Sequence, residues 1–174
     1  ELREAQQLGN AFMQVINSYE DRDKIKNLVQ HAPERLHGTQ LLEKLAQEFT
    51  PPKSWDEKSI VYFVGKGFER WDETSLTKGI GGSETAVIHL ANEWAKAGYN
   101  VTVFGDPIKY HKVKGGKGSV DWRPYWEWNM MDTFNTLIIW RNETLLNTPC
   151  QAKRVFLDLH DVPSQLEYTP ERLE

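Results

Sequence analysis

The chain reads as an α/β fold built on a mainly parallel sheet, and three observations predict it. Ile60-Val61-Tyr62-Phe63-Val64 is an uninterrupted apolar run of strand length, as a strand covered on both faces requires. Residues 83–96 then place Ala86, Val87, Leu90, Ala91, Trp94 and Ala95 on one helical stripe, with Gly98 as the left-handed stop. Tyr99-Asn100-Val101-Thr102-Val103-Phe104 follows as a second strand. Strand, helix and strand within about forty-five residues make a βαβ unit, which favours parallel strands and a right-handed crossover.

Composition narrows the class. The 174 residues, 39% of them apolar, suffice for one substantial core plus an appendage, and not for two full α/β domains. A net charge of -4 and a pI near 5.8 argue against a nucleic-acid surface held by bulk charge. Cys150 is the single cysteine, so no internal disulfide and no CxxC metal site is expected. His31, His37, His89 and His111 show no ligand spacing, and neither a metal nor another cofactor is expected. No run approaches the roughly 18 apolar residues of a membrane span, and the amphipathic amino terminus does not read as a signal peptide. The expected setting is cytoplasmic.

Residues 1–52 read as a helical appendage and residues 53–174 as the main lobe. Leu8, Phe12, Val15, Ile16 and Tyr19 recur at helical steps, residues 21–30 form a shorter helix, and Thr39 caps a third that ends before Pro51-Pro52. No second copy establishes a repeat period. The appendage is expected to pack, or to meet a protein partner, rather than to do chemistry.

Within the lobe, Gly79-Ile80-Gly81-Gly82-Ser83-Glu84-Thr85 opens the crossover helix. Such a turn either cradles an anion with free N–H groups and the helix dipole, or merely connects. Gly65-Lys66-Gly67-Phe68-Glu69-Arg70 imitates a dinucleotide fingerprint, but Arg70 occupies the place of the third small residue. A polar loop continues to the glycine turn, and loops of this kind are often functional. Residues 108–120, basic and glycine-rich, lack P-loop spacing and read as a mobile loop, whereas residues 120–128 read as an aromatic edge strand broken at Pro124. Four of the seven tryptophans, Trp122, Trp126, Trp128 and Trp140, fall in this part of the chain and suit a packed sheet edge or an interface, and the cluster Trp122, Tyr125, Trp126 and Trp128 would suit stacking on a sugar or a protein partner. Residues 136–140 and 154–159 are two further strands, with Arg141 and His160-Asp161 just past their ends. Parallel sheets bind ligands outside the carboxyl ends of their strands, so these residues and the glycine turn are expected on one edge.

Gly81-Gly82-Ser83-Glu84, the helix ending Trp94-Ala95-Lys96-Ala97-Gly98-Tyr99, Val101-Thr102-Val103-Phe104 and Phe156-Leu157-Asp158-Leu159-His160-Asp161 together resemble the N-terminal, Rossmann-like lobe of GT-B retaining glycosyltransferases of family 4. The resemblance covers roughly residues 58–165 and leaves the appendage unexplained. It implies transfer of a sugar from a nucleotide-sugar donor to an acceptor with retained configuration. It also implies that Gly81, Gly82 and Ser83 lie by the donor diphosphate, that His160 and Asp161 are catalytic residues beside the transferred sugar, and that Arg141 is a cleft cation or a plain surface charge. Glu84 is either a turn brace or an acceptor contact. The second lobe, which holds most nucleotide contacts in that family, is absent from this sequence, so the fragment alone is expected to be inactive. The alternative is a non-catalytic carbohydrate- or protein-binding lobe of the same fold.

Overall fold

The computed structural model describes residues 2–160 apart from 38 and 50. Helices α1 (Leu2–Asn17), α2 (Arg22–Gln30) and α3 (Gln40–Phe49) precede strand β1 (Ser59–Phe63), and α4 (Gly82–Lys96) joins β1 to β2 (Asn100–Gly105). Strands β3 (His111–Gly115), β4 (Gly118–Pro124), β5 (Thr133–Trp140) and β6 (Gln151–Asp158) complete one six-stranded sheet in the order β3-β4-β2-β1-β5-β6. All neighbours are parallel except β3 and β4. The chain is therefore an α/β protein with a mostly parallel, Rossmann-like sheet flanked by helices. No helix of the described residues is long and apolar enough to cross a membrane.

Alternation along the strands builds a core on each face. Ile60, Tyr62, Val101, Val103, Val120 and Trp122 meet the buried stripe Val87, Ile88, Ala91 and Ala95 of α4. Val61, Phe104, Leu137 and Ile139 pack on the other face with Trp55, Phe63 and Trp128. The helical segment closes a third core, in which Phe12, Ile16, Ile25, Val29, Leu42 and Leu45 surround Trp126. Asp21 caps α2 by accepting from the Asp23 and Lys24 amides, and Thr39 Oγ1 accepts from the Leu42 amide at 3.4 Å. Val15 in α1 and Tyr19 just past its end remain exposed. At the far edge β6 leaves Val155 and Phe156 exposed.

Two expectations from the sequence fail here for one reason. Residues 108–120 are not a mobile loop; they supply β3 and the turn of a β-hairpin. Lys112 and Lys114 alternate outward while Val113 faces Val120, and Gly116 takes φ +65 at the first turn position. Gly115 and Gly118 are required by close approach. A Cβ at Gly115 would stand 2.6 Å from the Ala95 Cβ, and one at Gly118 would stand 2.0 Å from the Tyr99 carbonyl oxygen. Because β3 covers it, β4 is an interior strand and not an edge. The tryptophans nearby do not form one platform either: Trp122 lies under α4, Trp126 in the helical core and Trp128 on the opposite face of the sheet.

Trp126 is the bolt between the helical segment and the sheet. It follows β4 in a 3-10 turn (Tyr125–Glu127), and its ring lies 4.0 Å from that of His37. Trp126→Ala is expected to cost about 3–5 kcal/mol, as large aromatic truncations in cores do. Limited proteolysis of the variant should cut near residues 50–53 first, while the sheet resists.

The loop between β1 and α4 is tied down. Arg70 donates to the Pro107 carbonyl at 2.8 Å, and the fully buried Asp72 accepts from Thr74 N at 2.9 Å and from Lys109 N at 3.2 Å. Arg70 thus acts as a clamp on the β2–β3 connection rather than as part of a dinucleotide turn. Next to it His111 Nε2 pairs with Glu73 Oε1. Burial opposes a charge on His111, but the hydrogen bonds to Glu73 and to the Lys109 carbonyl, and the Glu73 and Asp72 carboxylates, outweigh it and raise its pKa above 6.5. A raised folded value means that this stabilisation is complete below 6.5 and is lost as pH rises through the folded pKa. The urea midpoint should therefore fall between about pH 6 and pH 8. Glu73→Gln should flatten that fall; an unchanged slope would show that the pair does not set it.

Candidate functional site

The glycine turn stands at the carboxyl edge of the sheet, and its glycines have different reasons. Gly79 takes φ +78, a left-handed conformation that side chains avoid. Gly81 is the N-cap of α4, and a Cβ there would lie 2.2 Å from Glu84 Oε2. Gly82, the first residue of α4, has neither constraint: a Cβ there would meet nothing within 4 Å. Gly81 has no side chain to cap the helix, so the amides of Gly82, Ser83 and Glu84 lack intrahelical acceptors at the positive end of the dipole. The turn itself is exposed.

Glu84 is at the third helical position, where a carboxylate suits the dipole. It folds back towards Gly81 and also lines a cavity of about 420 Å³ with Gly65, Lys66, Trp140, Arg141 and Asn142. The cavity joins the loop after β1 to the end of β5. Arg141 holds φ +54, the one left-handed non-glycine among the described residues, and its amide donates to the Asp158 carbonyl at 3.0 Å. Such conformations cost on the order of 1–3 kcal/mol and persist where surrounding structure enforces them. The Arg141 guanidinium lies 5.0 Å from the centroid of the Trp140 ring.

His160 also lies against Trp140, with ring centroids 6.1 Å apart. Its Nε2 is 3.1 Å from Asp158 Oδ2, the oxygen that also accepts the Tyr62 hydroxyl. Tyr62 is fully buried in β1, so three elements of chain meet in one hydrogen-bonded line: Tyr62, Asp158, His160. The carboxylate partner of His160 is thus Asp158. Asp161, the second expected catalytic residue, lies outside the described residues.

Of the residues singled out in the sequence, Glu84 and Arg141 line one cavity, Gly81 touches it through Glu84, and His160 borders it through Trp140. Gly82 and Ser83 present the helix start beside it. Sequence reasoning passed over Lys66, Asn142, Trp140 and Asp158. Alternation along β6 was the available signal for Asp158, since residues 158 and 160 share a face in an extended chain. Lys66 was set aside with the failed fingerprint. No cluster among the described residues could hold a metal ion. The set combines backbone donors, two cations, one exposed-edge carboxylate and a carboxylate-oriented imidazole, which can hold an anion and hydrogen-bond a hydroxyl next to it. Comparison with protein-family models, with curated protein sequences and with solved structures finds no match to this chain.

Proposed function

We propose that the chain is the N-terminal lobe of a retaining, nucleotide-sugar-dependent glycosyltransferase of GT-B type. The observation that carries the reading is Gly82: no local geometry requires glycine there, and its open space lies directly over uncapped amides on the ligand edge of a parallel sheet. A diphosphate of the donor would take that space. In transfer, the bond from the anomeric carbon to the donor phosphate breaks, the acceptor oxygen bonds to that carbon on the same face, and the acceptor proton is released. The amides of Gly82 and Ser83, with Arg141 and Lys66, would stabilise the charge growing on the leaving diphosphate. His160, held by Asp158, would orient the transferred sugar or the acceptor hydroxyl, and Glu84 would accept from a sugar hydroxyl. A second lobe would supply most nucleotide contacts, and the helical segment remains a surface for a protein partner.

The test is a panel of nucleotide sugars titrated into the full-length protein. One donor should bind and be turned over, and His160→Ala should lower kcat by about 100-fold, the scale of a lost positioned proton or hydrogen-bond group, with donor Kd little changed. Binding by none of the donors, or full activity in His160→Ala, would overturn the assignment.

A further inference from the structure

A second cavity, of about 600 Å³, opens between α2 and the sheet face turned away from α4, and shares no lining residue with the carboxyl-edge site. That volume falls within the roughly 300–1,000 Å³ of small-molecule sites. Its floor is unusual for a sheet face beneath a helix. Val101, Val103, Val120 and Trp122 point to α4, so the rows Asn100–Ser119, Thr102–Asp121 and Phe104–Arg123 point into the cavity. Two of the three rows are wholly polar.

Much of the polar lining is already engaged. Glu127 accepts from Arg123 Nε at 2.9 Å; Asp132, only 3% exposed, accepts from Lys53 N at 3.0 Å and from Trp55 Nε1 at 2.8 Å. Ser119 Oγ donates to Asn100 Oδ1 at 3.0 Å. Thr102 and Asp121 are left. Thr102 is 7% exposed and Asp121, opposite it in register, is half-buried; neither makes a side-chain hydrogen bond among the described residues, and Asp121 meets Lys53 and Glu127 through charge alone. Both open into the cavity side by side, where one ligand hydroxyl can donate to the Asp121 carboxylate and pair with the Thr102 hydroxyl.

The chemistry of that ligand follows from the walls. Four basic and four acidic side chains line the cavity, so a net charge on the ligand finds no net attraction. Hydroxyl groups, which both donate and accept, suit a wall where a carboxylate stands beside a threonine. We infer that this cavity is a binding site for a neutral, hydroxyl-rich molecule, a saccharide of one or two rings, seated on Thr102 and Asp121. The inference stands apart from the proposed transferase activity.

The experiment is an amide NMR titration of the whole chain with methyl glucoside, methyl mannoside, maltose and inositol, with inorganic phosphate and glutamate as charged controls. At least one neutral polyol should shift the signals of Lys53, Thr102 and Asp121 while leaving Glu84 and Arg141 still. Thr102→Val and Asp121→Asn should each weaken that binding by about 10-fold, the scale of one hydrogen bond, with the thermal midpoint held. Should Thr102→Val fail to fold, Asp121→Asn decides the matter. No shift with any polyol, shifts confined to the carboxyl edge, tighter binding of phosphate or glutamate, or wild-type affinity in Asp121→Asn would each overturn the inference.

Discussion

Gly82→Val should leave the chain folded and remove donor binding. Gly82 opens α4 in helical conformation, its Cβ position is empty for 4 Å around, and its φ is not left-handed. Replacing glycine by alanine within a helix gains up to about 1 kcal/mol, and valine keeps part of that gain. The thermal midpoint of Gly82→Ala should therefore equal or exceed that of the parent. A diphosphate on the amides of Gly82 and Ser83 must fit against a bare backbone, and a branched side chain would hold it off. Removing one preorganised donor in comparable sites costs about 100- to 1,000-fold in rate. Donor affinity and kcat should both fall on that scale in Gly82→Val, with Gly82→Ala between. If both variants transfer sugar like the parent, the turn is a plain connection.

Gly79 behaves otherwise. Substitution at Gly79 should lower stability through its left-handed backbone, whereas at Gly81 the Glu84 carboxylate, the end of a flexible side chain, can swing aside at little cost. The contrast separates the glycine kept by the backbone, Gly79, from those that the fold alone does not require.

Asp158→Ala is the second substitution with a large expected effect, and it acts on stability and site together. Asp158 Oδ2 accepts both from Tyr62, wholly buried in the central strand, and from His160. Alanine leaves the Tyr62 hydroxyl without its acceptor, at a cost of about 1–3 kcal/mol, and releases the His160 ring. Asp158→Asn retains an oxygen for the Tyr62 hydroxyl and should recover most of the stability. Tyr62→Phe in the Asp158→Ala background removes the stranded donor and should restore part of the loss, because a missing pair costs less than a broken one. Urea denaturation of the parent, the three single variants and the double variant reads this directly. A Tyr62→Phe change with the same effect in both backgrounds would show that the two residues are not coupled.

The parallel β1-α4-β2 unit was legible because its signals are local. A five-residue apolar run, a stripe at helical spacing and Gly98 with φ +102 each announce themselves within one turn or strand. Strands β5 and β6 were legible on the same grounds, though each begins three residues before its apolar part. The β3–β4 hairpin was not, because lysine and glycine disfavour strands in isolation and only the end of α4, pressed to within a missing Cβ of Gly115 and Gly118, explains them. Density of tryptophan along the chain likewise says nothing of direction, and successive turns send Trp122, Trp126 and Trp128 to three different cores.

By itself, then, the sequence determined the βαβ frame, the helical segment in front of it, and the edge where the glycine turn, Arg141 and His160 would gather, since hydrophobic period and strand direction are properties of consecutive residues. Only the tertiary structure decided that Asp158 holds His160, that Tyr62 holds Asp158, that Lys66 and Asn142 join Glu84 and Arg141, and that a polar cavity with Thr102 and Asp121 lies beneath α2. Those pairings bring together residues up to 96 positions apart. Contacts at that separation depend on sheet order and on how layers are stacked, which no local pattern in the chain encodes.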